Sequence, residues 1–159
     1  VTEIVDRAGT RAPAERHVPT REQLGAWRAF LRAHASITRS LEAELEADQK
    51  LSLAAYDVLV QLAEAPDRRL RMTELADAVL LSRSGVTRLV DRLEKVGLVN
   101  RCPVESDGRG VAAELTAAGL SRLRTASRTH LAGVARHFAA RLDADDLAAL
   151  ERISRRLVD

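Results

Sequence analysis

Arg83, Ser84, Thr87, Arg88 and Arg92 lie within ten positions and are of the types suited to gripping and reading DNA. A guanidinium forks onto a guanine edge or a phosphate, and a short hydroxyl bonds base edges or phosphate. At about 100° per residue, Ser84, Thr87, Arg88, Asp91, Arg92 and Lys95 fall on one arc of a helix, opposite Val86, Leu89, Val90, Leu93 and Val96. The apolar arc packs and the other is free. Arg88 is the residue placed to fork onto guanine, the methyl of Thr87 suits a thymine methyl, and the positive N-terminus favours a phosphate. Any solvated surface helix also carries Arg, Ser and Thr, so this array takes its meaning from its flanks. Further along stand Arg101, placed for a phosphate, and Arg109, near a turn from which a long cation reaches a narrow minor groove.

The elements that must position these side chains are legible on both sides. Thr73 is an N-cap for a short helix with Leu75, Ala76 and Val79 at helical spacing, and Leu80-Leu81-Ser82 turns the chain. Ser82 caps the second helix, and Gly97 stands where a left-handed residue ends it. Residues 98–102 and 110–115 then read as strands of a β-hairpin, with Asp107-Gly108 as turn chemistry. Residues 68–109 hold nine Lys/Arg against six Asp/Glu, net +3, while the remainder, 16 against 17, is −1. The modest positive excess sits on this segment. The preference for arginine over lysine, 23 to 2, is read as genomic base composition rather than as a sign of DNA binding.

The run from Leu75 to Gly119, with LSRSGVTRLVDRLEKVGLV, the Asp107-x-Arg109 turn and the closing LTAAG, resembles the winged helix-turn-helix of MarR-type regulators. Helical patterns extend the resemblance from about Thr20 to the C-terminus. It implies a mainly α fold of about six helices and one hairpin wing. Ser84, Thr87 and Arg88 would act in the major groove, Arg109 in the minor groove, and Asp107 would hold the arginines in place. Arg83 stands where proline or a small polar residue is common, which could add a phosphate contact; Cys102 stands where arginine is common, which removes a charge.

A long amphipathic helix is expected from about Arg21 to Ala47, with Leu24, Trp27, Leu31, His34, Thr38, Leu41 and Leu45 on its stripe. A second follows Ser52 and stops at Ala65-Pro66; Thr116 caps another long helix, and Asp143 starts the last, with Asp146 in the capping-box position. The organisation expected is an arm over residues 1–19, read as mobile, and one domain over 20–159. Within it, 52–115 form the DNA-binding lobe, and 20–48 and 116–159 supply dimerisation helices. One reading helix covers only a few base pairs, so a homodimer on a double-stranded, pseudo-palindromic operator is the economical arrangement.

The function expected is a transcriptional repressor released by a small aromatic or phenolic ligand, the effector class the resemblance implies. Trp27, His34, Arg39 and Tyr56 are the candidate liners: two rings to stack and two bases to neutralise a carboxylate. Trp27 and His34 equally fit the packing stripe, Tyr56 a core and Arg39 solvent. Cys102, the single cysteine, is the candidate for a thiol switch, or simply a small residue on a half-buried strand. A constitutive architectural DNA-binding protein is the other alternative. His130 and His137 are two turns apart, about 10.5 Å of rise, too far to share an ion unaided, so no metal or other cofactor is expected. No glycine-rich phosphate loop, G-x-S-x-G elbow or zincin pattern occurs, and no enzyme is expected. With 46% apolar and 3% aromatic residues, one cysteine, no apolar run of about 20 residues and no secretory h-region, the expected setting is cytoplasmic, away from membranes.

Overall fold

The computed structural model describes residues 18–79, 81–104 and 110–158. Most of the N-terminal arm and the turn bearing Asp107 and Arg109 lie outside the described residues. In chain order the elements are α1 (Arg21–Gln49), α2 (Leu53–Glu64), β1 (Arg69–Arg71), α3 (Met72–Ala78), α4 (Arg83–Lys95), β2 (Val99–Pro103), β3 (Val111–Leu115), α5 (Ala117–His137) and α6 (Ala144–Val158). Short 3₁₀ turns occupy Pro66–Arg68 and Ala139–Arg141. Among the described residues no helix is long and apolar enough to cross a membrane.

The chain divides within α1 into residues 1–34 and 35–159. In the first unit, Thr20 and Gln23 cap α1 reciprocally: the Thr20 N–H donates to Gln23 Oε1 at 2.8 Å, and the Gln23 N–H donates to Thr20 Oγ1 at 3.2 Å. Trp27, Phe30 and Leu31 of this stretch are exposed.

The second unit is built on one apolar core. Leu45 of α1, Val58, Leu59 and Leu62 of α2, Leu75 of α3, and Val86 and Val90 of α4 are fully buried in it, with Val99 and Ala113 from the sheet. Ser52 caps α2 through the Ala55 N–H at 3.2 Å, and the chain leaves that helix at Ala65, extended ahead of Pro66. The sheet has three antiparallel strands in the order β1-β3-β2, with Leu70 opposite Ala113 and Cys102 opposite Ala112. The spacing argument anticipates only the hairpin. β1 is three residues long, too short for any periodicity to register, and is defined by its pairing with β3.

Two further local expectations change. The N-cap of α3 is Arg71, not Thr73, and Glu74 reaches back to accept from the Arg71 N–H at 2.9 Å. Pairing of Arg71 with Ala112 in the sheet sets where that helix starts, two residues earlier than side-chain propensity suggests. Val96, expected on the buried arc of α4, is the C-cap and is 66% exposed. Gly97 follows with φ +73°, the left-handed turn that ends α4. The start of α5 is docked on this turn: the Thr116 hydroxyl donates to Gly97 O at 2.7 Å and accepts from the Gly119 N–H at 2.9 Å. A Cβ on Gly119 would lie 2.1 Å from Leu98 O, so the LTAAG run requires glycine at its end.

Candidate nucleic-acid interface

The helix pair α3 and α4 is joined by a tight turn in which the Leu81 N–H donates to Ala76 O at 3.2 Å. Ser82, extended at φ −64° and ψ 152°, caps α4 by accepting from the Gly85 N–H at 3.1 Å. Such a cap contributes about 1 kcal/mol and fixes where the helix begins. Val86, Leu89, Val90 and Leu93 hold α4 in the core. That burial leaves Arg83, Ser84, Thr87, Arg88 and Arg92 exposed together on the other side.

The array is chemically uneven. Thr87 Oγ1 donates to Arg83 O at 2.9 Å, which spends its proton while an acceptor lone pair and the methyl remain. Ser84 Oγ lies 3.3 Å from Ser82 Oγ, so Ser84 keeps close to the cap. The guanidiniums of Arg83, Arg88 and Arg92 make no hydrogen bond or ion pair with any described residue. Three uncompensated guanidiniums on one rigid helix are a ready anion surface.

Arg101, expected to meet a phosphate, turns its guanidinium inward instead. Nη1 pairs with Asp91 and lies 3.8 Å from Glu94, and Nη2 donates to Thr87 O at 3.1 Å. Its backbone N–H donates to Glu94 Oε1 at 3.2 Å. Arg101 is therefore a strut that ties β2 to α4 and balances the two acids of that helix. Asp91 and Glu94 are the positioning residues that the sequence argument missed. The signal was an aspartate on the arc assigned to phosphate-rich DNA, where it needs a cation of its own. At the far end of β2, Arg69 Nη2 donates to Pro103 O at 2.5 Å, and the hairpin continues with the Val104 N–H donating to Gly110 O at 2.9 Å. Asp107 and Arg109, beyond that bond, are not among the described residues.

The candidate ligand residues sit in different settings. In the 1–34 unit, Trp27 and His34 flank Phe30, with ring centroids 6.1 and 6.4 Å away. Phe30 was not among the candidates. In the other unit Arg39 is exposed, while Tyr56 is buried against His130 with centroids 4.5 Å apart and its hydroxyl 3.3 Å from Ser127 Oγ. The ring face proposed for a ligand is thus occupied by an imidazole. Burial pushes His130 below the ordinary histidine range, against the pull of Asp57, and burial raises Asp57 against the pull of His130. His137 is engaged separately, with Nε2 2.7 Å from Glu44 Oε1. That bond, more than nearby Arg136, holds Glu44 below the usual carboxylate range, while burial opposes the shift. Cys102 is half-buried on β2, with Sγ 3.7 Å from Ala112 O. Among the described residues no cluster of three His, Cys, Asp or Glu is arranged to hold a metal ion.

These features have close counterparts. The sequence model of the MarR family matches residues 49–110. The crystal structure of Sco3205, a MarR family transcriptional regulator from Streptomyces coelicolor, in complex with DNA, is similar at 36% identity and TM-score 0.84, covering 91% of this chain and 90% of that one. AbsC, another MarR family regulator from the same organism, is similar at 34% identity and TM-score 0.81, covering 89% and 95%. The HTH-type transcriptional repressor YetL of Bacillus subtilis (strain 168) is 36% identical over 77 residues, 48% of this chain and 46% of that protein. The chain spans about half the length of the curated relatives it matches. Likeness along nine-tenths of Sco3205, together with the capped helix pair and its hairpin, shows that the chain belongs to the MarR family of winged helix-turn-helix transcriptional regulators.

Proposed function

We propose that the chain acts as a homodimer that binds a pseudo-palindromic DNA operator through α4, represses transcription there, and is released by a small aromatic or phenolic ligand. The exposed face of α4 carries this: the guanidiniums of Arg83, Arg88 and Arg92 have no partner among the described residues, while the opposite face is locked in the core. Arg88 reads a base edge, Thr87 and Ser84 add base or phosphate contacts, and Arg83 and Arg92 hold the backbone. Arg109 reaches the minor groove from the hairpin, and Asp107 supports it. The DNA complex of Sco3205 and the repressor name of YetL favour DNA binding and repression.

Residues 52–115 form the reading lobe, and 20–48 and 116–159 the dimer helices. Exposed Trp27, Phe30 and Leu31 on α1, and Ile153, Leu157 and Val158 on α6, which buries no residue, support a second copy as their cover. Two reading helices then meet half-sites about one turn apart. Footprinting upstream of the protein's own gene, with solution mass measured in parallel, tests this. A dimer protecting a symmetric site, released by an aromatic acid, is expected. A monomer, or binding to mixed DNA without preference, overturns it.

A further inference from the structure

Beside α4, wholly within the 35–159 unit, an open groove of about 440 Å³ runs between that helix and the start of α2. Ala54, Leu81, Gly85 and Leu89 line it with small or apolar surface, and Arg88 and Arg92 line it with charge. Leu89 is nearly buried, Leu81 is 36% exposed, and Gly85 adds no side chain. Ala54, the only residue that α2 contributes, is held on both sides by caps. The Leu53 N–H donates to Glu42 Oε2 at 2.6 Å, and the Ala55 N–H donates to Ser52 Oγ at 3.2 Å.

Arg88 and Arg92 are one helical turn apart, about 6 Å at their Cβ atoms, and such a like-charge pair costs helix stability unless an anion sits with it. No acid lines the groove, Asp91 and Glu94 are both turned to Arg101, and neither guanidinium has a partner among the described residues. The counter-charge is left to come from outside the chain. An apolar floor beside paired cations suits a ligand with one carbon face and one anionic group. A deoxyribose-phosphate unit is such a ligand: its sugar carbons leave water for Leu81 and Leu89, and its phosphate accepts from a guanidinium. The groove shares Arg88 with the exposed array of α4, so one duplex can occupy both.

We infer that this groove seats one sugar-phosphate unit of the operator backbone, with the phosphate on Arg92, the sugar on Leu81 and Leu89, and Ala54 as the facing wall. The seat rests on the DNA-binding reading above and adds α2, through position 54, to the elements that meet DNA. Arg88, one turn nearer the start of α4, stays free for the base edge beside the seated unit. The seat fixes the position of the duplex and does not itself read sequence. An acid at position 54 repels the seated phosphate, and a lysine there attracts it.

The test is binding of the full chain to the duplex it protects in footprinting, with each backbone phosphate replaced in turn by a neutral methylphosphonate. One position per half-site is expected where neutralisation weakens the parent at least about fivefold, and where Arg92→Gln then costs less than about twofold more. Ala54→Glu should weaken binding to the unmodified duplex at least about fivefold and lose most of that penalty at the same methylphosphonate. Ala54→Lys should tighten binding and steepen the log–log salt dependence by about one per protomer. Damage to the fold would weaken both variants at position 54, so opposite signs separate a seat from a structural defect. Opposite signs, tied to the phosphate that Arg92 meets, support the seat. Loss in both variants, no effect in either, or dependence of positions 54 and 92 on different phosphates overturns it and leaves DNA binding standing. A parent that binds no duplex overturns the DNA-binding reading and the seat with it.

Discussion

The outer face of α4 and the seam that α5 makes with α1 and α2 use polar side chains in opposite ways. Along the seam most are spent on one another: Gln49 Nε2 donates to Thr129 Oγ1 at 3.0 Å, the Tyr56 hydroxyl meets Ser127, and Glu44 meets His137, while His130 stacks its ring on Tyr56 and leaves its buried Nδ1 without a hydrogen bond among the described residues. On α4, three guanidiniums remain unspent among the described residues. Satisfied polar groups fix geometry, whereas unsatisfied exposed cations are available to a ligand. Arg101 joins the two styles, since it projects from β2 beside the exposed array yet is used up on Asp91 and the Thr87 carbonyl. Residue type alone is thus a poor guide to role; the partner inventory separates a reader from a strut.

The largest effect expected along this contrast is at Arg88. Arg88→Ala should weaken specific operator binding by about 1–3 kcal/mol, relax preference at one position per half-site, and leave thermal stability unchanged, as binding curves on a base-substituted operator series would report. Equal loss on every sequence would move Arg88 from base reading to phosphate. A smaller effect is expected at Arg101, where Arg101→Met removes a half-buried ion pair and frees the hairpin from α4. Stability should fall by about 0.5–1 kcal/mol, with affinity reduced but its salt dependence unchanged. A log–log salt slope lower by about one would instead count Arg101 among the phosphate contacts.

The smallest expected effect lies on the seam. Because burial lowers the His130 pKa from its ordinary 6.5, the folded state prefers neutral imidazole. Its contribution is complete above the unfolded value and is lost as pH falls through that value toward the lowered folded one. Asp57, raised by burial, works in the opposite sense: its folded state is favoured as pH falls through the raised value. His130→Phe keeps a ring on Tyr56 and removes one titration. Melting temperature measured from about pH 7 to 5 should therefore decline less steeply in the variant than in the parent. An identical decline would show that His130 adds nothing to the acid sensitivity of the seam.

Much of the fold is legible because its determinants are local. Ser52, Ser82 and Thr116 each act as an N-cap where the spacing expects one, and Gly97 ends α4 with positive φ. The apolar arc of α4 is right at Val86, Leu89, Val90 and Leu93 and fails at Val96, where the helix has already ended and direction is set by the cap. The candidate site divides in the same way. Exposure of Ser84, Thr87, Arg88 and Arg92 follows from the periodicity that buries their neighbours. The Arg101–Asp91 pair spans two elements, so no spacing within either one encodes it.

Sequence by itself determined the helix pair, the Ser82 cap and Gly97 stop of α4, the following hairpin and the side of α4 that faces outward, since each depends on residues within one or two turns of one another. Only the tertiary structure decided that Arg69–Arg71 is a strand, that Arg101 is a strut, that His130 covers Tyr56, and that Ala54 of α2 shares a groove with Arg88 and Arg92. Those outcomes arise from groups distant in sequence being brought within bonding or packing distance, and the interactions that fix them exist only once the chain has folded.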